Sequence, residues 1–532
     1  MRALLVYPRY PTTYWSFEEA LRLAGQRALM PPLGLITVAA MLPTQWELRL
    51  VDTNVRPISN DDWAWAELVI CSAMLVQKRD LACCIAQARY RGLPVAVGGP
   101  FASSTPDAPE LRQANYLILD EGELTVPLFL EALDRGETGG RFSALGERPD
   151  VTSSPIPRFD LLDLNAYNVM AVQFSRGCPF QCEFCDIIVL YGRKPRTKEP
   201  AQLLAELDAL HALGWRSDVF LVDDNFIGNK RNVKRLLPEL LAWQLQRGFP
   251  FAFTTEASVD LASETELLTG MAQCRFRRVF LGIETTDVGS LAGAGKHQNT
   301  RQPLVEAVDT ITAAGIQVMA GFILGFDGEA PGAGARIVDF VTTTGIPLAM
   351  VGVLQALPNT ALWHRLASEG RLLESDGSFT DGVQTHLLNF QPSRPMAEIA
   401  AEFLACFDAL YMPRAYLQRA FAYCQRLGAP RWPRLGHGER PQRAWRVVAA
   451  LCWRQGLRRN SRWLFWRQLL QVAWQRPEVL DEYLWMLLVE EHLLRYREML
   501  HHTVASQLAS PLLSAGPATP PRWVPAGGGA AA

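Results

Sequence analysis

Three cysteines lie close together near the middle of the chain, in the stretch GCPFQCEFC at residues 177–185. The C-x3-C-x2-C spacing brings three thiolates within reach of three irons of one [4Fe–4S] cube, because soft sulfur ligands suit iron–sulfur clusters. With no fourth ligand in the motif, one iron stays open to an exogenous ligand. A structural zinc site is the alternative, but such sites usually have four ligands, and no histidine precedes His211. The spacing therefore predicts Cys178, Cys182 and Cys185 as cluster ligands.

The cysteine motif follows the first of six candidate strands that alternate with helical stretches. The candidate strands are 170–175, 217–223, 250–256, 277–284, 317–325 and 349–355, and the helical stretches include 199–213, 232–247 and 303–314. Six βα units predict a partial (β/α)6 barrel over residues 169–394. Reactive groups of such barrels lie at the carboxyl ends of the strands, where the cysteines fall.

The residues before and after the predicted barrel have different sequence patterns. Residues 1–135 contain short β-rich runs at 3–7, 46–51, 67–72, 93–97 and 116–119, which predict a parallel, flavodoxin-like (Rossmann-type) α/β domain. Residues 136–168 are rich in Gly, Ser, Pro and Asp and are predicted to be a linker. Residues 395–505 have a helical period throughout and predict an all-helical domain. The low-complexity residues 506–532 are predicted to be a disordered tail.

Carboxylates also stand at predicted strand ends. Glu256 and Glu284 would lie at the barrel mouth, where each could bind a ribose hydroxyl or an amine, or instead be a buried carboxylate paired with an arginine. Asp223, Asp224 and Asn225 follow the second strand. They are either site residues or a helix cap.

Composition narrows the class of protein. The 532 residues carry 52 Lys and Arg against 54 Asp and Glu, which argues against a globally basic nucleic-acid binder. No run reaches the roughly 18 apolar residues of a membrane-spanning helix. The first residues are too soon broken by Pro8 for a secretory signal. Ten cysteines then indicate a reducing compartment, and we expect a cytoplasmic protein.

The cysteine motif after strand one of a partial barrel strongly resembles the radical SAM superfamily. That resemblance implies a [4Fe–4S] cluster on the three cysteines whose open iron binds S-adenosylmethionine. It also implies cofactor contacts from Phe184 beside the third cysteine and from Glu256 and Glu284. Further contacts are implied for three glycines, Gly282, Gly321 and Gly325. Packing glycines and a core aromatic are the alternative interpretations.

A flavodoxin-like domain before such a barrel resembles the cobalamin-binding, class B members of the superfamily. The resemblance implies a cobalamin site at the carboxyl edge of the first sheet, lined by Pro32, Asp52, Ser72, Gly98, Gly99 and Glu121. The chain departs from many cobalamin proteins because it has no D-x-H-x-x-G motif. Cobalamin would therefore bind without a histidine below the cobalt. An empty domain is the alternative.

Residues 411–476 contain 14 Arg, no Lys and one acid, Glu439, with six tryptophans interleaved. Such a region suits an anionic membrane surface, with Trp at the level of the headgroups. A helical domain packed on the barrel, with its arginines paired to acids from elsewhere, is the alternative, and single-stranded nucleic acid is the less favoured partner. The block resembles the helical extension of a class B subgroup that includes the hopanoid C-2 methylase.

Together these features predict a cobalamin-dependent radical SAM methyltransferase. The resemblance implies methylation of an unactivated carbon on a lipid-like (hopanoid or terpenoid) or other secondary-metabolite substrate, with a flavodoxin- or ferredoxin-type reductant. Localisation would be cytoplasmic, with peripheral contact at the inner membrane face. One alternative is a cobalamin-binding cyclase or oxidoreductase that transfers no methyl group. Another is a non-catalytic cobalamin- or lipid-binding protein.

Overall fold

A computed structural model describes residues 1–373, 384–429 and 441–509 of the chain. Its first unit is a parallel sheet in the order β2-β1-β3-β4-β5-β6. The strands are β1 (Arg2–Tyr7), β2 (Glu47–Asp52), β3 (Leu68–Ser72), β4 (Val95–Gly98), β5 (Tyr116–Ile118) and β6 (Gly140–Phe142). The helices are α1 (Glu18–Ala24), α2 (Leu33–Met41), α3 (Asn60–Trp65), α4 (Lys78–Tyr90), α5 (Pro100–Ser104) and α6 (Gly122–Asp134).

Both faces of this sheet are covered, as the apolar strands require. Along β1, Leu4 and Val6 face one hydrophobic core and Ala3 and Leu5 face the other. The order of the first five strands is the flavodoxin-like order that the sequence predicts. The stretch 136–168, expected to be a linker, contributes β6 to this sheet, where it pairs with β5. Its short sequence, Gly-Arg-Phe, has too little periodicity to indicate a strand.

The second unit is an open barrel of parallel strands in the order β14-β13-β12-β11-β10-β7. Its strands are β7 (Met170–Val172), β10 (Asp218–Leu221), β11 (Ala252–Ala257), β12 (Phe276–Glu284), β13 (Gln317–Leu324) and β14 (Leu348–Val353), with a small antiparallel pair, β8 (Ser175–Arg176) and β9 (Arg196–Thr197). The helices are α7 (Ile187–Leu190), α8 (Pro200–Ala212), α9 (Lys230–Gln246), α10 (Thr265–Gln273), α11 (Val288–Gly293), α12 (Leu304–Ala313), α13 (Ala333–Thr344) and α14 (Ala361–Ser368). The predicted partial (β/α)6 barrel is confirmed.

The third unit is helical, as expected. It contains α15 (Met396–Tyr411), α16 (Pro413–Arg426), α17 (Pro441–Trp453), α18 (Arg462–Gln475) and α19 (Leu480–Leu508), so ordered helix enters the predicted tail at 506–508. The rest of that predicted tail, from residue 510, lies outside the described residues. Among the described residues, no helix combines the length and apolarity needed to cross a bilayer.

Candidate active site

The cysteine loop connects strand β8 to strand β9. These strands pair Ser175 with Thr197 and Arg176 with Arg196, which closes the base of the loop. The next residue, Gly177, has φ +93°, and a Cβ there would lie 2.8 Å from the carbonyl oxygen of Gly192. Only glycine fits this turn without strain, so the loop leaves the barrel directly into the three cysteines.

Two carboxylates after β10 hold the loop base in place. Asp223 accepts hydrogen bonds from the backbone N–H of Phe174 and from the N–H and hydroxyl of Ser175, at 2.8, 2.7 and 2.6 Å. Asp224 accepts from the N–H of Gly177 at 2.8 Å. Both are positioning residues, and the cap interpretation does not account for them. Burial raises the pKa of Asp223 to about 7 and that of Asp224 to about 6.

Amide side chains point at the sulfurs. Asn225 Nδ2 lies 4.0 Å from Cys178 Sγ, and Gln298 Nε2 lies 3.7 Å from Cys182 Sγ. Burial raises the pKa of the Cys178 thiol, and the same cause raises the pKa of Cys185. Such thiols need a cation to ionise, because burial disfavours a lone thiolate. N–H donors beside the sulfurs are also the kind of contact that tunes an iron–sulfur cluster.

The donor set is compatible with a cluster. Within the part of the chain that the structure describes, no three His, Cys, Asp or Glu side chains form a group able to hold one metal ion. In a cube, each cysteine binds a different iron, so its ligands do not converge on one point. The three thiols on one short loop, with amide donors around them, match that requirement.

Glu284 ends β12 in an unusual conformation. Its φ is +65°, and its buried carboxylate forms an ion pair with Lys296. The Lys296 ammonium lies 5.8 Å from the ring centre of Phe184. Burial opposes the charge of Lys296, but Glu284 and the nearby Cys182 overcome that effect and raise its pKa. The expected arginine partner is therefore a lysine, and its ammonium lies beside the cysteine loop at Phe184.

Glu256 differs from Glu284. No hydrogen bond or ion pair from the described residues reaches its half-buried carboxylate. Burial and the neighbouring Asp224 and Asp223 raise its pKa to about 8. A carboxylate at the barrel mouth that no described side chain pairs with is available to a ligand.

The glycines predicted to contact a cofactor pack closely against protein. A Cβ at Gly282 would meet the Glu284 carboxylate, and one at Gly321 would lie 2.8 Å from the ring of Phe280. A Cβ at Gly325 would lie 2.8 Å from Leu388. Phe184 packs edge-on against Phe326, with ring centres 5.9 Å apart. These residues surround the site, and their contact with a cofactor stays a prediction.

The first domain reaches the cysteine loop through Glu121, which precedes α6. Its buried carboxylate pairs with Arg176 at 2.9 Å and with Arg196 at 2.8 Å, so it joins both strands that bracket the loop. Glu123 also pairs with Arg176, at 2.8 Å. The carboxyl edge of the first sheet and the cysteine loop therefore lie on the same interface.

The other predicted cobalamin residues lie at or near that edge. Asp52 is buried and accepts from Tyr167 Oη at 3.1 Å and from Asn54 N at 2.9 Å; burial raises its pKa. Gly99 has φ +89°, and a Cβ there would lie 2.5 Å from Ser72 Oγ. Gly98 ends β4, and Pro32 precedes α2. Cobalamin contact at these residues stays a prediction.

Apolar side chains line part of the barrel interior. Alternate strand residues are half-buried on the side away from the helices, and they include Phe220, Thr254, Glu256, Phe280 and Met350. Trp15, from the segment between β1 and α1, enters this space. Its ring contacts Phe280 with centres 5.4 Å apart, and its Nε1 lies 2.9 Å from Met350 Sδ. Sequence reasoning missed this role of Trp15, because the contacts are more than 260 residues away.

Below Trp15, charged groups close the amino-terminal end of the barrel. Arg278 pairs with Asp218 at 3.0 Å and with Glu482 of α19 at 2.7 Å, and it lies 4.1 Å from the ring centre of Trp485. The segment before α1 is anchored by the same helix, since His492 Nε2 lies 2.9 Å from the carbonyl oxygen of Thr13. The helical domain therefore closes the amino-terminal end of the space lined by Trp15, Phe280 and Met350. We call this space the barrel chamber.

Comparison with known proteins agrees with this geometry. Residues 172–341 match the Radical SAM superfamily, and residues 360–506 match a domain of unknown function, DUF4070. The chain is 55% identical over 515 residues to an uncharacterized methyltransferase of Synechocystis sp., with 96% of this chain and 94% of that one covered. It is 36% identical over 506 residues to the hopanoid C-2 methylase of Rhodopseudomonas palustris, with 93% of each chain covered.

The site and the fold define a radical SAM enzyme. Given those two full-length similarities, the chain belongs to the radical SAM methyltransferase family that includes the hopanoid C-2 methylase.

Solved structures show the same fold. One is the cobalamin-dependent radical enzyme OxsB with aqua-cobalamin and S-adenosylmethionine bound, with a TM-score of 0.58 at 16% identity, covering 96% of this chain and 83% of that one. Another is the radical S-adenosylmethionine methyltransferase TsrM from Kitasatospora setae, with a TM-score of 0.55 at 18% identity, covering 77% of this chain and 83% of that one. The expected order of a flavodoxin-like domain, a partial barrel and a helical domain is confirmed.

Proposed function

We propose that the protein is a cobalamin-dependent radical SAM methyltransferase that methylates an unactivated carbon of an apolar, lipid-like substrate. The interface between the two sheets carries this proposal. The carboxyl edge of the first sheet is bound to the cysteine loop through Glu121, Arg176 and Arg196. A cofactor on that edge would therefore face the barrel mouth, where a methyl donor is needed.

The bound cofactors would supply an electron, a 5′-deoxyadenosyl radical and a methyl group, and the protein positions them. In our proposal Cys178, Cys182 and Cys185 hold the [4Fe–4S] cluster. Glu256 accepts hydrogen bonds from S-adenosylmethionine, since its carboxylate has no partner among the described residues. Pro32, Asp52, Ser72, Gly98, Gly99 and Glu121 form or support the cobalamin site.

Residues inside the barrel support the proposed substrate class. Phe280, Met350 and Trp15 give it an apolar wall and floor, which disfavours a strongly polar substrate. The similarity to the hopanoid C-2 methylase supports a polycyclic hydrocarbon skeleton. A substrate of this kind dissolves in bilayers, which agrees with a cytoplasmic enzyme at the inner membrane face. The reductant would be a flavodoxin or ferredoxin.

Cofactor content and cleavage of S-adenosylmethionine test this proposal. Protein purified without oxygen from cobalamin-replete cells should contain cobalamin equimolar with the chain, together with iron and sulfide. Cys182→Ala should lose the cluster and 5′-deoxyadenosine formation, whereas Cys83→Ala, at an exposed cysteine outside the site, should keep both. Absence of cobalamin beside an intact cluster would overturn methyl transfer and favour the cyclase or oxidoreductase alternative.

A further inference from the structure

An exposed apolar stripe runs along α18. Trp463, Arg467, Leu470 and Trp474 are spaced by four, three and four residues, so they lie on one face of the helix. Trp474 is 88% exposed and Trp463 is 75% exposed. The opposite face is buried and includes Gln468 beside Tyr483. The helix thus turns two tryptophans and a leucine to solvent while it buries an amide.

A second stripe of exposed residues lies on one face of α17. Trp445, Ala449 and Trp453 are four residues apart, and Leu457 continues that spacing into the next turn. All four are exposed; Trp445 is 72% exposed. Exposed tryptophans at this density are unusual on a soluble surface, and they mark an interaction site.

The arginines of this region divide into two groups. Arg454 pairs with Glu19 at 2.6 Å, and Arg459 pairs with Glu490 at 3.2 Å, so these cations hold the helices to the body of the protein. Other arginines lie on or beside the stripes, and among the described residues none of them has an acidic side chain within salt-bridge distance. They are Arg446, Arg458, Arg462 and Arg467.

We propose that the stripes of α17 and α18 form a docking surface for an anionic lipid bilayer. Trp residues favour the headgroup level, and the exposed arginines of the stripes are attracted to anionic lipid. Leu457 and Leu470 fit an acyl boundary but cannot stack on bases, which disfavours nucleic acid. A second copy of the chain would bring like charges together. This inference rests on the apolar substrate proposed above, because docking would give the chamber access to a lipid.

The test uses the full-length holoenzyme and vesicles of phosphatidylglycerol and phosphatidylcholine, with pure phosphatidylcholine as reference. Flotation should show binding only with the anionic lipid, and added salt should weaken it. Arg462→Gln with Arg467→Gln should reduce affinity by about fivefold for each arginine. Trp463→Ser with Trp474→Ser should remove most of the binding and most of the quenching of tryptophan emission by brominated lipid, with the remainder coming from Trp445 and Trp453.

Matched controls are Arg301→Gln and Tyr90→Ser, at exposed residues of the barrel and of the first domain. Both should bind vesicles as the wild type does. Equal binding by the stripe variants would overturn the proposal, as would absence of vesicle binding. A change in sedimentation velocity that the stripe variants abolish would instead assign the surface to a second copy, and tight oligonucleotide binding would assign it to nucleic acid; either result also overturns the proposal.

Failure of the docking surface can be distinguished from failure of the proposed methyltransferase function. The stripe variants should methylate a detergent-solubilised substrate at the wild-type rate, because α18 contributes nothing to the cysteine loop or chamber. Loss of vesicle binding with this activity intact supports the docking surface. Stripe variants that lose vesicle binding and also lose methylation of the detergent-solubilised substrate contradict the docking surface.

Discussion

The carboxylate of Asp223 accepts hydrogen bonds from both the backbone N–H and the hydroxyl of Ser175, at 2.7 and 2.6 Å. This contact joins the end of β10 to the first residue of β8, three positions before Cys178. The cysteine loop is therefore attached to the barrel core by a buried carboxylate and not only by its own turn. Positions of the sulfurs depend on a residue that never touches them.

Asp223→Asn should impair the assembly of the cluster. The amide replaces one acceptor by a donor facing N–H groups, and an unmatched buried hydrogen bond costs about 1–3 kcal/mol. Iron and sulfide per chain should fall, and the thermal midpoint should drop. Asp287→Asn is the matched control, because Asn also caps the helix α11 that Asp287 begins. Full cluster content in Asp223→Asn would show that the cysteine loop keeps its position without the hydrogen bonds to Asp223.

The regular elements were predictable and the contacts between them were not. Strands β10 to β14 lie within about two residues of their predicted positions, because apolar runs between helical stretches leave few alternatives. The sequence indicates Asp223, Asp224 and Asn225 as candidate site or cap residues, but the backbone partners of the two aspartates are nearly 50 residues away. Lys296 gives no sequence signal, since it meets Glu284 only after α11 turns back on the barrel.

Glu121→Gln should destabilise the contact between the first domain and the barrel. Arg196 would lose its buried carboxylate partner, whereas Arg176 would keep Glu123, and breaking a buried pair costs up to about 3–5 kcal/mol. Denaturant unfolding should show a loss of that order. Glu131→Gln is the control, because its pair with Arg135 is solvent-exposed and contributes little. Equal stability of the two variants would contradict the role given to Glu121.

Glu256→Gln should weaken binding of S-adenosylmethionine in a pH-dependent way. The pKa of Glu256 is raised to about 8, so below that pH the wild-type carboxyl is mostly neutral and resembles the amide. Above it the carboxylate accepts charge-assisted hydrogen bonds worth about 1.5–3 kcal/mol. Calorimetric titration should therefore show a deficit at pH 9 that shrinks by pH 6. An equal deficit at both values would assign Glu256 a structural role.

The raised pKa of Glu256 also determines how the free energy of unfolding changes with pH. Without ligand, the folded state holds a proton on Glu256 that the unfolded state releases above its ordinary pKa. The carboxyl therefore costs stability progressively as pH rises from about 4.5 towards 8. Ligand-free Glu256→Gln should lose less stability than the wild type over that interval.

Trp15→Ala should change which substrates fit the chamber. Trp15 forms the floor beside Phe280 and Met350, so its removal deepens an apolar cavity. We expect kcat/KM to shift in favour of the longer of two polycyclic substrates that are assayed together. Trp15→Phe keeps an aromatic floor and should keep the wild-type preference. An unchanged preference in Trp15→Ala would place the substrate away from this floor.

Transfer of an isotopically labelled methyl group tests the central claim most directly. The holoenzyme, reduced without oxygen, is incubated with trideuteromethyl-labelled S-adenosylmethionine and a hopanoid substrate in detergent. The account predicts a product in which a trideuteromethyl group has replaced one hydrogen, formed together with 5′-deoxyadenosine and absent from Cys182→Ala. Formation of 5′-deoxyadenosine with a changed substrate that carries no label would contradict methyl transfer.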